Sequence, residues 1–255
     1  MVNQKIIHSF LLIGQSNAAG RGFANEVEPI VNDKISVLRN GRWWPMYVPV
    51  NPDRVTAGIN LMESFCDAYS NDKQVRVGII PCADGGTSLD QWSVDGVLFD
   101  HACYMAELAQ RTSTIAGVIW HQGESECGNE KYPLYEQKFT KILNAFKDRL
   151  NLHDVPFLLG GLGDYLEFCP AGEHFKNYVH VNTALEKIAN ENDMTGFVCA
   201  KGLGANADNL HFNAKALREF GLRYYEKFLT LENKDKVFVE KEDFVVKRKT
   251  NLERL

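Results

Sequence analysis

Short apolar runs rich in β-branched residues alternate along this chain with longer helical segments, and that alternation limits it to one broad class of fold. The runs lie at 5–13, 35–38, 75–81, 115–120, 155–160 and 195–200. Helical patterning is read at 57–69, 97–111, 132–150, 173–190 and 213–229, with Asn213 placed to cap the last. The stretch 132–150 carries the clearest stripe, Phe139, Ile142, Leu143, Phe146 and Leu150 at steps of three and four. Strands separated by helices require crossover connections, so the expected fold is α/β, a mostly parallel, doubly wound central sheet with helices on both faces. Its 255 residues suit one large domain. Ligands of such sheets bind beyond the carboxyl ends of the strands, which directs attention to the loops that follow them.

Four of those loops carry chemistry. In "IIHSFLLIGQSNAAGRG" the first strand stops at a small polar patch around Ser16. A hydroxyl there meets free backbone N–H groups at the start of a helix, and it serves either as an N-cap or as a nucleophile beside donors that stabilise negative charge. Ala18 stands where a G-x-S-x-G elbow would need its last glycine. In "PCADGGTSLDQW", Gly85 and Gly86 form either an ordinary turn or a backbone that brings an N–H close to a ligand. In "GVIWHQGESE", Gln122 offers an amide to an oxyanion and Glu124 can orient a neighbour, unless the two merely brace the loop. In "ADNLHFNAKA", Asp208 and His211 are three residues apart, so the carboxylate can meet the imidazole Nδ1–H and support the imidazolium that forms when Nε2 takes a proton. A metal at His121 and Cys127 lacks a second pair of ligands at suitable spacing.

The ordered set "GQSNAAGRG", "GIIPCADGGTSLDQW", "GVIWHQGESE" and "DNLH", spread over nearly the whole chain, resembles the SGNH hydrolase superfamily. Within it the chain is similar to the sialate O-acetylesterase and carbohydrate esterase family 6 branch, which includes acetyl xylan esterases. The resemblance implies a three-layer α/β/α sandwich and hydrolysis of O-acetyl esters on sugars. It implies Ser16 as nucleophile, His211 and Asp208 as base and orienting acid, and an oxyanion hole from Ser16, Gly85, Gly86 and Gln122. It leaves open which glycine donates, and it offers Glu124 as an alternative or additional partner of His211. Ala18 departs from the methionine of many relatives, a change expected to reshape the acyl pocket or adjacent packing. No cofactor and no metal are implied.

A formal net charge of -5 argues against nucleic acid, which needs a dense basic face. No run approaches the roughly 18 apolar residues of a membrane span. The first apolar run reads as a strand rather than a signal peptide, and the six cysteines, at 66, 82, 103, 127, 169 and 199, read as buried thiols, so a cytoplasmic enzyme is expected. The expected partner is a small acetylated saccharide, with self-association left open. The esterase domain is placed at 1–230. A charged extension at 231–255, in which "VFVEKEDFVV" alternates weakly, reads as an edge strand, a dimer contact or a loose tail, and the basic run Lys247, Arg248 and Lys249 within it reads as solvated surface. Two rival readings stay in view: an esterase or thioesterase for longer acyl chains, and a non-catalytic saccharide binder stacking sugars on Trp43, Trp44 and Trp92.

Overall fold

The chain enters the sheet at its centre. In a computed structural model, which describes residues 3–233 and 235–239, β1 (Asn3–Gly14) pairs in parallel with β4 (Val75–Pro81) on one side and β5 (Thr114–His121) on the other. The sheet continues outward through β2 (Ile35–Arg39) and β3 (Arg42–Pro45) at one edge, and β6 (Phe157–Gly160) and β7 (Thr195–Val198) at the other. The order is β3-β2-β4-β1-β5-β6-β7, and every pair is parallel except the β2–β3 hairpin. The second half of β1 reads as a continuous apolar run because helices cover both of its faces, and Phe10, Leu11, Leu12 and Ile13 are wholly buried. β3 was not expected as a strand. It is a four-residue edge ending in Pro45 with most of its side chains exposed, and so it shows none of the apolar patterning that marks the others.

After the short α1 (Ser16–Ala19) come α2 (Leu61–Lys73), α3 (Val97–Ala109), α4 (Tyr135–Leu150), α5 (Tyr178–Glu191) and α6 (Ala214–Leu231). Alternation along the strands assigns them to layers. Phe10 packs edge-to-face on Phe65 of α2 and Phe228 of α6. Trp120 stacks on Phe139 of α4, whereas its neighbour His121 faces Phe220 of α6. Thus α2 and α6 cover one face and α4 the other, with α3 and α5 packed against α4. The arrangement is the expected three-layer α/β/α sandwich.

Helix starts differ from the sequence reading where capping decides them. α2 begins at Leu61 and not near residue 57, because the Asn60 side chain accepts the Met62 N–H at 2.7 Å and Glu63 Oε1 accepts the Asn60 N–H at 2.8 Å. Residues Glu173–Asn177 form a separate 3-10 turn before α5. Asn213 caps α6 as expected, accepting the Ala216 N–H at 2.8 Å. Of the six cysteines, five are buried but Cys199 is exposed, and none is bridged. Residues 240–255, which hold most of the expected extension including Lys247, Arg248 and Lys249, lie outside the described residues.

One buried group ties the fold to acid stability. His8 on β1 is 8% exposed, its Nδ1 2.6 Å from the Tyr69 hydroxyl and its ring stacked on Phe238. Burial, helped by the charge of Lys73, pulls its pKa from 6.5 down to about 4. The folded chain therefore binds fewer protons than the unfolded one between those values, and stability falls as pH drops through that window, by up to about 3 kcal/mol. Urea unfolding at pH 7 and pH 4.5 should show that loss in the native chain and much less of it in His8→Gln. An equal loss in both would remove His8 as its source.

Candidate active site

The end of β1 is built for a sharp exit. Gly14 has φ +127°, and a Cβ there would lie 2.1 Å from the His121 carbonyl oxygen, so only glycine fits. Gln15 then donates its N–H to that same carbonyl at 2.9 Å, and Ser16 becomes the first residue of α1. Gln15 occupies the cap position, which leaves the Ser16 hydroxyl free of capping duty. Its Oγ lies 3.0 Å from His211 Nε2, across 195 residues of sequence. His211 Nδ1 lies 2.7 Å from Asp208 Oδ2. The second carboxylate oxygen, Oδ1, accepts the N–H groups of Leu210 at 2.9 Å and His211 at 3.0 Å. Partial burial would raise the Asp208 pKa, but the bonds from His211 and those two backbone N–H groups outweigh it and hold the carboxyl below its usual range. The pair therefore faces the serine as an imidazole anchored by a fixed negative charge.

Glu124 does not reach His211. Its Oε1 accepts from Asn17 Nδ2 at 2.5 Å and bonds His121 Nε2 at 3.2 Å. Burial opposes its ionisation, but His121 and the Asn17 amide hold its pKa below the ordinary value. Asn17, overlooked in the sequence although it follows Ser16, is the hub: its Nδ2 also donates to the Leu210 carbonyl at 3.1 Å, and its Oδ1 accepts the Phe212 N–H at 3.0 Å. The backbone on both sides of His211 is thus clamped to the end of β1. Glu124 is linked to the His211 segment through that clamp.

Gln122 also departs from expectation. One residue past β5, it leans to the same side as Trp120, and its Nε2 donates to the Thr87 carbonyl at 3.2 Å instead of facing the hydroxyl of Ser16. Trp92, wholly buried, holds the Thr87 hydroxyl from the same side at 2.9 Å. Trp43 and Trp44 sit on the edge strand β3, so the three tryptophans form no shared platform at the site. Ala18 is buried, with its carbonyl accepting from Asn60 Nδ2, so the departure at this position belongs to packing beneath the site.

A cavity of about 370 Å³ opens over Ser16 and His211. It is lined by Gly85 and Gly86, by Glu124 and Ser125, and by His174 and Phe175 of the 3-10 turn before α5. Arg21 reaches it too, but its guanidinium is held by a bidentate pair to Asp53 at 3.0 and 2.7 Å. Among the described residues, no group of three or more His, Cys, Asp or Glu side chains is placed to hold a metal.

Residues 6–230 match the family model described as carbohydrate esterase, sialic acid-specific acetylesterase. The chain belongs to that family. It is accordingly a carbohydrate esterase, a hydrolase of the acetylesterase type. A probable carbohydrate esterase of Arabidopsis thaliana is 28% identical over 250 residues, covering 87% of this chain and 90% of the relative. The fold matches an X-ray structure from Arabidopsis thaliana with TM-score 0.79 and 24% identity, over 89% of this chain and 99% of that one. A carbohydrate acetylesterase from Xanthomonas citri aligns with TM-score 0.65 and 16% identity, over 89% of this chain and 56% of its own. No helix among the described residues of this carbohydrate esterase is long and apolar enough to cross a membrane.

Proposed function

We propose that this carbohydrate esterase removes O-acetyl groups from saccharides by two-step acyl transfer through Ser16. The observation that carries the reading is the continuous chain of contacts from Ser16 Oγ to His211 Nε2 at 3.0 Å and from His211 Nδ1 to Asp208 Oδ2 at 2.7 Å. His211 takes the hydroxyl proton as Ser16 attacks the acetyl carbonyl. The negative charge on the carbonyl oxygen is met by backbone N–H groups of Ser16 and of the glycine loop. Collapse of the tetrahedral intermediate breaks the ester bond, and His211 returns the proton to the departing sugar hydroxyl. Water, deprotonated by the same imidazole, then cleaves the acetyl-enzyme and releases acetate.

The cavity offers both polar and apolar surface to a substrate. Gln15, Arg21, Glu124, Ser125 and His174 line it beside Phe175 and Leu210, so polar side chains stand where the hydroxyls of a bound saccharide would lie. Acetate release from acetylated xylo-oligosaccharides, acetylated sialic acids and acetylated monosaccharides, measured beside 4-nitrophenyl acetate and octanoate, tests the reading. The expected result is hydrolysis of at least one acetylated saccharide and a kcat/KM for acetate about tenfold or more above that for octanoate. Rising activity toward octanoate would contradict it in favour of a longer-chain esterase. Inertness toward every acetyl ester would revive the saccharide-binding alternative.

A further inference from the structure

Most backbone polar groups of the loop 83–88 are held, and of the two N–H groups left without an acceptor among the described residues, those of Gly86 and Thr87, only that of Gly86 belongs to a residue lining the cavity. Ala83 N–H donates to Asn51 Oδ1 at 3.0 Å, Asp84 N–H to the Gly14 carbonyl at 3.0 Å, Gly85 N–H to Asp53 Oδ2 at 2.8 Å, and Ser88 N–H to Gln91 Oε1 at 2.9 Å. Gly85 is thereby removed as a donor to substrate, because its N–H already serves a carboxylate. Gly86 lines the cavity and keeps an N–H without an acceptor among the described residues. It has φ +76°, and the space its Cβ would occupy is empty.

The orientation of that N–H follows from its peptide plane. The Gly85–Gly86 peptide is trans, so the Gly85 carbonyl and the Gly86 N–H point in opposite directions. Arg54 fixes the carbonyl end: its Nη2 donates to Gly85 O at 3.1 Å, while its Nη1 donates to Asp84 Oδ1 at 2.6 Å and to the Asp53 carbonyl at 2.9 Å. Asp53 is itself held by Arg21. Arg54 does not line the cavity whereas Gly86 does, so the carbonyl it holds is turned to the far side and the amide proton is left on the cavity side. A rotated peptide would instead present the carbonyl oxygen to a developing oxyanion.

We infer that Arg54 is a positioning residue for the reaction, clamping the Gly85 carbonyl so that the Gly86 N–H serves as the second oxyanion donor beside Ser16 N–H. This rests on the reading of Ser16 as nucleophile. Arg54 is half exposed, its side chain 51% accessible, so its loss should leave the fold intact while loosening one peptide.

The test compares Arg54→Ala, Arg54→Lys and Ser16→Ala in steady-state hydrolysis of 4-nitrophenyl acetate, with thermal midpoints measured alongside. Arg54→Ala should lower kcat about tenfold or more, short of the 10²- to 10³-fold cost of deleting an oxyanion donor outright, with KM within about twofold. Its thermal midpoint should stay within about two degrees, because exposed ion pairs contribute little to stability. Arg54→Lys, which retains a donor for the Gly85 carbonyl, should recover part of the lost kcat. Full kcat in Arg54→Ala beside an inactive Ser16→Ala would overturn the role of Arg54 and leave the nucleophile standing. A drop in kcat that simply follows a fallen thermal midpoint, with no recovery in Arg54→Lys, would also overturn it. Activity persisting in Ser16→Ala would bring down the nucleophile reading, and this inference with it.

Discussion

Ser16→Ala is expected to lower kcat toward acetyl esters by about 10⁵-fold or more, because removing the nucleophile of a serine relay costs nearly as much as removing the whole relay. What remains would come from substrate binding and the oxyanion donors alone. Among the described residues the hydroxyl makes one hydrogen bond, to His211, and no cap bond within α1, so deleting it should leave the thermal midpoint within a few degrees of the parent. Steady-state kinetics on freshly purified protein, with thermal unfolding alongside, check both halves. An active Ser16→Ala enzyme would remove residue 16 from the chemistry.

Asp208→Asn carries the second large effect, and comparison with Glu124→Gln decides which acid supports His211. An asparagine at 208 keeps an oxygen able to accept the Leu210 and His211 N–H groups, so the turn should survive. It cannot supply the negative charge that stabilises the imidazolium, and its amide can hold the ring in the wrong tautomer. A loss in kcat of about 10⁴-fold is expected, with little change in KM. Glu124→Gln should behave differently. The Glu124 side chain is 3% exposed and bonds both His121 and Asn17, so neutralising it loosens a buried network and should cost about 3 kcal/mol of stability. Its effect on kcat should be smaller than that of Asp208→Asn, because it is linked to His211 through the Asn17 clamp on residues 210 and 212. If Glu124→Gln proved the more damaging to kcat at full folding, Glu124 rather than Asp208 would be the acid that matters.

Much of this site was legible in the sequence because its parts are local. Asp208 and His211 sit in one turn, and a three-residue spacing is enough to bring a carboxylate to an imidazole. Ser16 was legible because it follows the strongest strand in the chain. The placement of residues at the end of β5 was harder. Gln122 was expected at the oxyanion, yet strand alternation already groups it with Trp120 on the α4 side, so the parity of that strand held the answer. The Asn60 and Glu63 capping pair likewise marked the true start of α2.

Other features had no local signal. Asp53 and Arg54 lie in an irregular connection between β3 and α2, with no periodicity or motif. They matter only because that connection runs alongside the loop 83–85, which tertiary packing alone decides. Asn17 stood in plain view beside Ser16, but its role depends on Leu210 and Phe212 nearly two hundred residues away. Edge strand β3 escaped because an exposed edge needs no buried stripe.

Peptide mapping by mass spectrometry after reaction with a fluorophosphonate reads out which side chain is attacked and phosphonylated. The adduct is expected on Ser16 alone, forming in step with the loss of acetylesterase activity, and its formation should slow by several orders of magnitude in His211→Ala. An adduct on another residue, or complete inactivation with Ser16 unmodified, would contradict the relay from Asp208 through His211 to Ser16.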